Sequence, residues 1–204
     1  MADVSGAPRP LAVTGIDEAD DLLRRDGTAL LIGMLLDQQV PMEWAFTGPW
    51  TISQRLGHCD AGRIASMNVD EFVAACRVKP AIHRFPDSMA RRIHALCSIV
   101  ATQYGGRGER VWDGVVRADE LVARLRDLPG FGEEKSQIFV ALLGKRFGIR
   151  PRGWRVAAGS FGDGQPRSVA DIFSPESLAK VRAFKKLQKA AGTDKQDRPV
   201  RTPR

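Results

Sequence analysis

Leu128-Pro129-Gly130-Phe131-Gly132-Glu133-Glu134-Lys135-Ser136 decides how this chain is read. The run before it, Ala118-Asp119-Glu120-Leu121-Val122-Ala123-Arg124-Leu125, carries apolar residues at helical spacing, and Pro129 stops it. A second helix is expected from about Gly132 to Phe147. Gly130 and Gly132 admit backbone angles closed to other residues and keep side chains off the loop surface. The second helix then points its free N–H groups and positive dipole end at whatever sits on the loop, which suits an anion. An ordinary glycine-rich corner between two helices has the same composition, so the rest of the chain has to decide.

Working outward, helix follows helix with little strand signal. Asp17 to Arg24 is short and amphipathic, and Thr28 to Asp37 is nearly all apolar, as in a helix buried on most sides. Pro41 suits the first turn of a helix carrying Met42, Ala45, Phe46, Trp50 and Ile52. Asp70 to Cys76 is another short helix. Asp87 is placed to cap a longer one, whose Met89, Ile93, Leu96 and Val100 recur at helical intervals before Gly105-Gly106. Residues 148–167, beyond the hairpin, are rich in Gly, Pro and Arg without a period. Ser174-Pro175 opens a last helix with Leu178, Val181, Phe184 and Leu187 on one face and Lys185, Lys186 and Lys189 off it. The fold class is all-α, as one helical bundle or two small lobes with a cleft. The expected organisation is a flexible N-terminus over 1–15, a helical domain over 16–191 and a basic disordered tail over 192–204.

With 204 residues the chain can bury a real core, and an apolar fraction of 43% is that of a globular protein. No apolar run is long enough to span a membrane, and Met1-Ala2-Asp3-Val4-Ser5-Gly6 lacks the basic and apolar pattern of a signal peptide. A cytoplasmic protein, associated with the nucleoid if it binds DNA, is expected. Cys59, Cys76 and Cys97 are scattered and read as reduced, partly buried thiols, and with His58, His83 and His94 they form no metal-ligand pattern. From Lys180 to Arg204 nine Lys or Arg face two acids, an excess equal to the whole net charge of +7. Such an end attracts phosphates without regard to sequence, or simply keeps the protein in solution.

Leu-Pro-Gly-x-Gly-x-x-Lys resembles the helix-hairpin-helix motif of DNA repair proteins. A hairpin followed by a Gly/Pro-rich loop resembles the order found in the HhH-GPD superfamily of base-excision DNA glycosylases, which includes endonuclease III. Upstream, Leu30-Leu31-Ile32-Gly33-Met34-Leu35-Leu36-Asp37-Gln38-Gln39-Val40 is similar to that family's buried helix and Gln-bearing loop, and Arg77 to Tyr104 is similar to the segment before its hairpin. The resemblance spans roughly residues 28–147 and then weakens.

It implies a glycosylase-like helical fold, double-stranded DNA as partner, a monomer, and phosphate contacts from Leu128, Pro129, Gly130, Phe131, Gly132 and Lys135. Gln39 falls at the wedge that fills the gap left by an extruded base, an event costing a few kcal/mol; Gln38 and Gln39 can also simply cap a helix end. The family's lyase Lys corresponds here to Glu134. Lys135 comes one residue later, turned about 100° around the helix, so it is expected to face a phosphate, and the enzyme to be monofunctional. The family's catalytic Asp corresponds to Arg152 to Trp154, where no carboxylate stands. Asp171 is the first substitute, with helix capping or ion pairing as its alternative role; Asp37 is the second, and Asp163 is a turn residue. Trp44, Trp50 and Trp154 could stack on a flipped base, with Trp44 and Trp154 the base-pocket candidates, while each also suits the core. No cofactor is required. A monovalent cation on the hairpin carbonyls is implied, and no iron–sulfur cluster, since no Cys lies beyond Cys97. The missing Asp also leaves room for a catalytically silent DNA-binding or lesion-sensing member of the fold.

Overall fold

The fold is built around a helix with no solvent face. The computed structural model describes residues 10–199, and it places ten α-helices in the order α1 (Asp17–Arg25), α2 (Gly27–Leu36), α3 (Met42–Leu56), α4 (Ala61–Ser66), α5 (Val69–Arg77), α6 (Pro86–Gln103), α7 (Ala118–Arg126), α8 (Glu133–Leu142), α9 (Trp154–Ala157) and α10 (Pro175–Ala190). Single 3₁₀ turns lie at Gly108–Val111, Gly159–Gly162 and Val169–Asp171. No strand occurs among the described residues, only isolated bridges joining Arg117 with Arg152 and Thr193 with Pro199. Every residue of α2 is buried, as its unbroken apolar sequence requires.

One lobe packs α1, α3 and α6 around α2, with α4 and α5 on α6. Helices α2 and α3 cross closely: a Cβ on Gly48 would come within 2.3 Å of Leu36 Cδ1. The second lobe stacks α7, α9 and the turn at 169–171 on α8, and α10 packs on that turn. A single apolar core runs through both lobes, from Leu11 to Val181. The lobes meet along a junction, the groove of the candidate site, where Lys135 of α8 donates to Leu35 O at the end of α2 and Lys185 of α10 reaches Met42 Sδ at the start of α3.

Several expectations shift. Phe85, not Asp87, is the N-cap of α6; Asp87 sits in the first turn and is held by both nitrogens of the Arg77 fork. Helix α8 ends at Leu142 and widens into a π-turn over Leu143–Phe147, which the apolar pattern does not reveal. Helix α4, capped by Asp60 through Arg63 N–H, was too short to show a period. The aperiodic stretch after the hairpin holds α9. Leu187 is 69% exposed, so the face of α10 that packs is narrower than its apolar spacing suggested.

The expected boundaries move as well. Leu11 and Val13 are fully buried, and Asp20 accepts from the N–H groups of Val13 and Thr14, so residues 11–14 are tied into the core. At the other end, residues 192–199 fold back: Asp197 pairs with the buried Arg167, which also donates to the Lys195 carbonyl. Residues 1–9 and 200–204, with Arg201 and Arg204, lie outside the described residues. No helix among the described residues is long and apolar enough to cross a membrane.

Candidate functional site

The hairpin closes as its composition requires. Phe131 N–H donates to Leu128 O at 3.1 Å, Leu128 and Phe131 are buried, and Pro129 is half-buried between them. Gly130 has φ +79°, and a Cβ there would lie 2.4 Å from Leu35 Cδ1. That glycine is structural twice over, by conformation and by its contact with the last turn of α2. Gly132 differs: it is exposed, extended at φ −74°, and a Cβ on it would meet nothing within 4 Å. It caps α8 without a side-chain hydrogen bond, so solvent or a ligand has open access to the helix start. Glu133 and Glu134 occupy that first turn, which tempers its pull on an anion.

Lys135 does not face outward as expected. Its ammonium turns inward and donates to Leu35 O at 2.8 Å, tying α8 to the end of α2. Burial pushes Lys135 down to about 8; Asp37 and Glu134 oppose that fall, while Lys195 and Arg92 add to it. Helix spacing had turned Lys135 toward a phosphate rather than a sugar, but it could not show that the backbone of α2 lies within its reach.

Beside this contact the α2–α3 loop displays Gln39. It is exposed and holds φ +56°, a left-handed conformation uncommon for a residue that is neither Gly nor Asn. Such strain persists only where its surroundings impose it. Gln38 Nε2 reaches Leu35 O at 3.1 Å, and buried His83 lies with Nε2 2.9 Å from Gln38 O and Nδ1 accepting from Phe85 N–H. That pairing makes Nε2 the protonated nitrogen of a neutral ring, and burial lowers the pKa of His83 in the same sense. Gln38 and His83 fix the loop, and Gln39 projects from it. Nothing in the sequence pattern marked His83 for this role.

Asp37, at the end of α2, is partly exposed in the groove, and its charge acts on both Lys135 and Lys185. Asp171 stands elsewhere. Its Oδ1 accepts from Lys145 Nζ at 2.6 Å, and its Oδ2 accepts from the N–H groups of Arg167 and Ser168 at 3.0 and 3.1 Å. It completes a capping box with Ser168. Asp171 lines a different cavity, with Lys145, Asp163, Phe173 and Lys180, and both of its carboxylate oxygens are engaged there. Asp163 is a turn residue: it accepts from Gln165 N–H and pairs with Arg167.

The aromatic candidates divide. Trp154 is 8% exposed and packs on Gly144, where a Cβ would come within 2.5 Å of its ring, so it is core and not base pocket. Trp44 is 39% exposed, with its indole N–H on Ala81 O at 3.0 Å and its ring 6.4 Å from that of His83. Trp50 packs partly buried against the core. Among the described residues no three His, Cys, Asp or Glu side chains gather as a ligand set.

The groove therefore brings together Asp37, Gln39, Gly132 and Lys135, and leaves out Asp171, Asp163 and Trp154. It also contains groups that the sequence had not marked. Lys185 of α10, expected on the open face of its helix, reaches Met42 Sδ at 3.1 Å, and Lys195 pairs with Glu134 at 3.0 Å. Arg182 of α10 pairs with Glu43 of α3.

Neither a protein-family model nor a curated protein matches this chain. Among solved structures it is similar to a trapped endonuclease III–DNA covalent intermediate with an estranged adenine, at 18% identity over 88% of this chain and 76% of that one, with a TM-score of 0.46. It is similar to a 3-methyladenine DNA glycosylase of H. pylori bound to 1,N6-ethenoadenine, at 15% identity over 84% and 94%, with a TM-score of 0.48. It is also similar to a thermostable thymine-DNA glycosylase, at 17% identity over 82% and 65%, with a TM-score of 0.45.

Proposed function

We propose that the chain binds double-stranded DNA as a monomer and acts in base-excision repair as a monofunctional glycosylase. The observation that carries this reading is the joining of two devices through one residue. Leu35 touches Gly130 of the hairpin and receives hydrogen bonds from Lys135 and Gln38. A phosphate seated at the open start of α8 would thus be held in fixed register with Gln39. An amide that both donates and accepts can pair with the partner of an extruded base.

The carboxylate that fits the chemistry is Asp37, in place of Asp171. In the hydrolysis, the bond between the base and C1′ breaks with its electron pair leaving on the base, which takes a proton from solvent. The Asp37 carboxylate faces the cationic sugar, orients a water for attack on C1′ and accepts its proton. With its ammonium on Leu35 O and Glu134 at the lyase position, Lys135 has no part in amine attack. A monovalent cation on the turn carbonyls would help hold the phosphate, and no step passes through it. A second reading, a silent DNA-binding or lesion-sensing protein, is favoured by the engagement of Asp171 in its ion pair and caps.

The test is a panel of duplexes bearing different damaged or mispaired bases, assayed for base loss with and without alkaline cleavage. Excision on at least one duplex, with strand breaks only after alkali and no borohydride-trapped adduct, is expected. Efficient trapping would refute the monofunctional assignment. Duplex binding without base loss on any lesion would establish the silent reading.

A further inference from the structure

Three ammonium groups from three separate elements converge in the groove. Lys135 comes from the hairpin helix, Lys185 from the last helix, and Lys195 from the segment that folds back after it. Lys195 acts on both Lys135 and Lys185, as do Asp37 and Glu134. The charge of Arg92 of α6 also bears on Lys135. Three ammonium groups thus share two carboxylates. An anion is the ligand that would relieve this crowding.

Lys185 and Lys195 are also held in ways that leave them exchangeable. Lys185 is half-buried, yet the partner it reaches is the thioether of Met42, a weak acceptor for an ammonium. Burial lowers its proton affinity, with Lys195 pushing the same way and Asp37 and Glu134 opposing. The Lys195–Glu134 pair is 36% and 42% exposed, and pairs so open to solvent contribute little. Arg182 on Glu43 anchors α10 to the first lobe, so Lys185 is delivered to the groove by a fixed helix.

We propose that Lys185 and Lys195, together with Lys135, form a second phosphate seat in the groove, taking a DNA phosphodiester on the strand whose base is extruded. This rests on the DNA-binding reading above and adds the last helix and its return segment to the contact surface. The phosphate takes the place of Met42 for Lys185 and of Glu134 for Lys195, giving each ammonium a charged oxygen. Glu134 is then a competitor for the seat, and its charge holds duplex affinity down.

Duplex affinity is measured against salt for the wild type, Lys185→Gln, Lys185→Arg, Lys195→Gln and Glu134→Gln, with thermal melts to confirm that each is folded. Lys185→Gln should weaken binding about tenfold at low salt and lower the slope of log affinity against log salt by roughly one. Lys195→Gln should act in the same direction, Lys185→Arg should restore most of the loss, and Glu134→Gln should tighten binding several-fold. A merely structural Lys185 would change the melting temperature and leave the salt slope alone, which would overturn the seat. If the wild type binds duplex and neither Lys185→Gln nor Glu134→Gln alters affinity or slope, the seat falls and the DNA reading stands. If the wild type binds no duplex at low salt, both fall. Inorganic phosphate shifting the ε-methylene resonances of Lys185 while duplex does not would assign the seat to a free phosphate, against the proposal.

Discussion

Asp171→Asn and Asp37→Asn should fail in different ways, and the contrast tests which carboxylate does chemistry. The Lys145–Asp171 pair has side chains only 12% and 11% exposed. Removing one charge from a buried pair costs about 3–5 kcal/mol, because the other charge is left without compensation. Asn keeps an oxygen for the Arg167 and Ser168 N–H groups, and slight exposure lets water reach Lys145, so the estimate falls to about 2–3 kcal/mol. For a domain of this size each kcal/mol moves the melting temperature by roughly 2–4 °C, which gives a drop of roughly 4–12 °C. Adding Lys145→Met should recover most of that loss, since no buried charge then stands alone. Asp37→Asn removes a partly exposed charge beside two lysines and should cost about 1 kcal/mol or less, yet excision should be lost while duplex binding remains. Calorimetric melts and single-turnover base release on the same preparations decide the matter. An Asp171→Asn protein with wild-type stability and no turnover would refute the structural role argued for Asp171. Normal turnover by Asp37→Asn would remove it from the mechanism.

The two hairpin glycines should also separate. Gly132→Val has open space and an ordinary backbone angle, so it should melt like the wild type and lose duplex affinity at least tenfold, whereas Gly130→Val, at φ +79° against Leu35, should be destabilised by several kcal/mol; a folded Gly132→Val with full affinity would take the hairpin out of the binding surface. Lys135 binds its proton less tightly in the folded chain, at about 8, than at its ordinary 10.5. The unfolded chain therefore holds more protons between those values, and stability should rise as pH climbs through that window. Urea midpoints at pH 7 and pH 10 should show the wild type gaining on Lys135→Met by at most about 3 kcal/mol; a pH-independent difference would mean the ammonium is not desolvated. The thiols of Cys59, Cys76 and Cys97 are buried, and burial pushes all three up, Cys76 to about 12. A thiol reagent at pH 8 should label none of them faster than the chain unfolds, and a rapid stoichiometric burst would contradict their burial.

Much of the fold was legible because its signals are local. An apolar stretch with no polar face gives a helix buried on all sides, and α2 is one. The Ser174 cap and Pro175 set the start of α10, and the hairpin lies where Gly and Pro place it. The π-turn at Leu143–Phe147 was not legible, because one extra residue in a turn leaves the apolar spacing almost unchanged. Lys135 and Lys185 were misplaced for a common reason. Helix spacing gives the direction of a side chain relative to its own axis, while its surroundings are set by what another segment brings alongside. Here those segments are the end of α2 and Met42, each about a hundred residues or more away in the chain. Trp154, a base-pocket candidate, is core for the same reason: Gly144 in the π-turn after α8 leaves a slot that its ring fills.

The proposed assignment of the reacting carboxylate to Asp37 in place of Asp171 rests on how the hairpin is mounted. A carboxylate after the Gly/Pro loop would need that loop to carry it back to the start of α8, yet Asp171 is claimed at the far end of the helix by Lys145. The end of α2 needs no such travel, since Leu35 is already locked to both Gly130 and Lys135. Groups placed two to four residues beyond Leu35 are therefore held near the hairpin by the same contacts that would hold a phosphate. Asp37 and Gln39 occupy that short stretch, and His83 fixes the carbonyl between them. On the proposed function, gripping the backbone, filling the gap in the stack and facing the sugar would converge on one buried leucine. Leu35→Ala should accordingly cost excision more than its cavity costs stability, because it loosens all three at once.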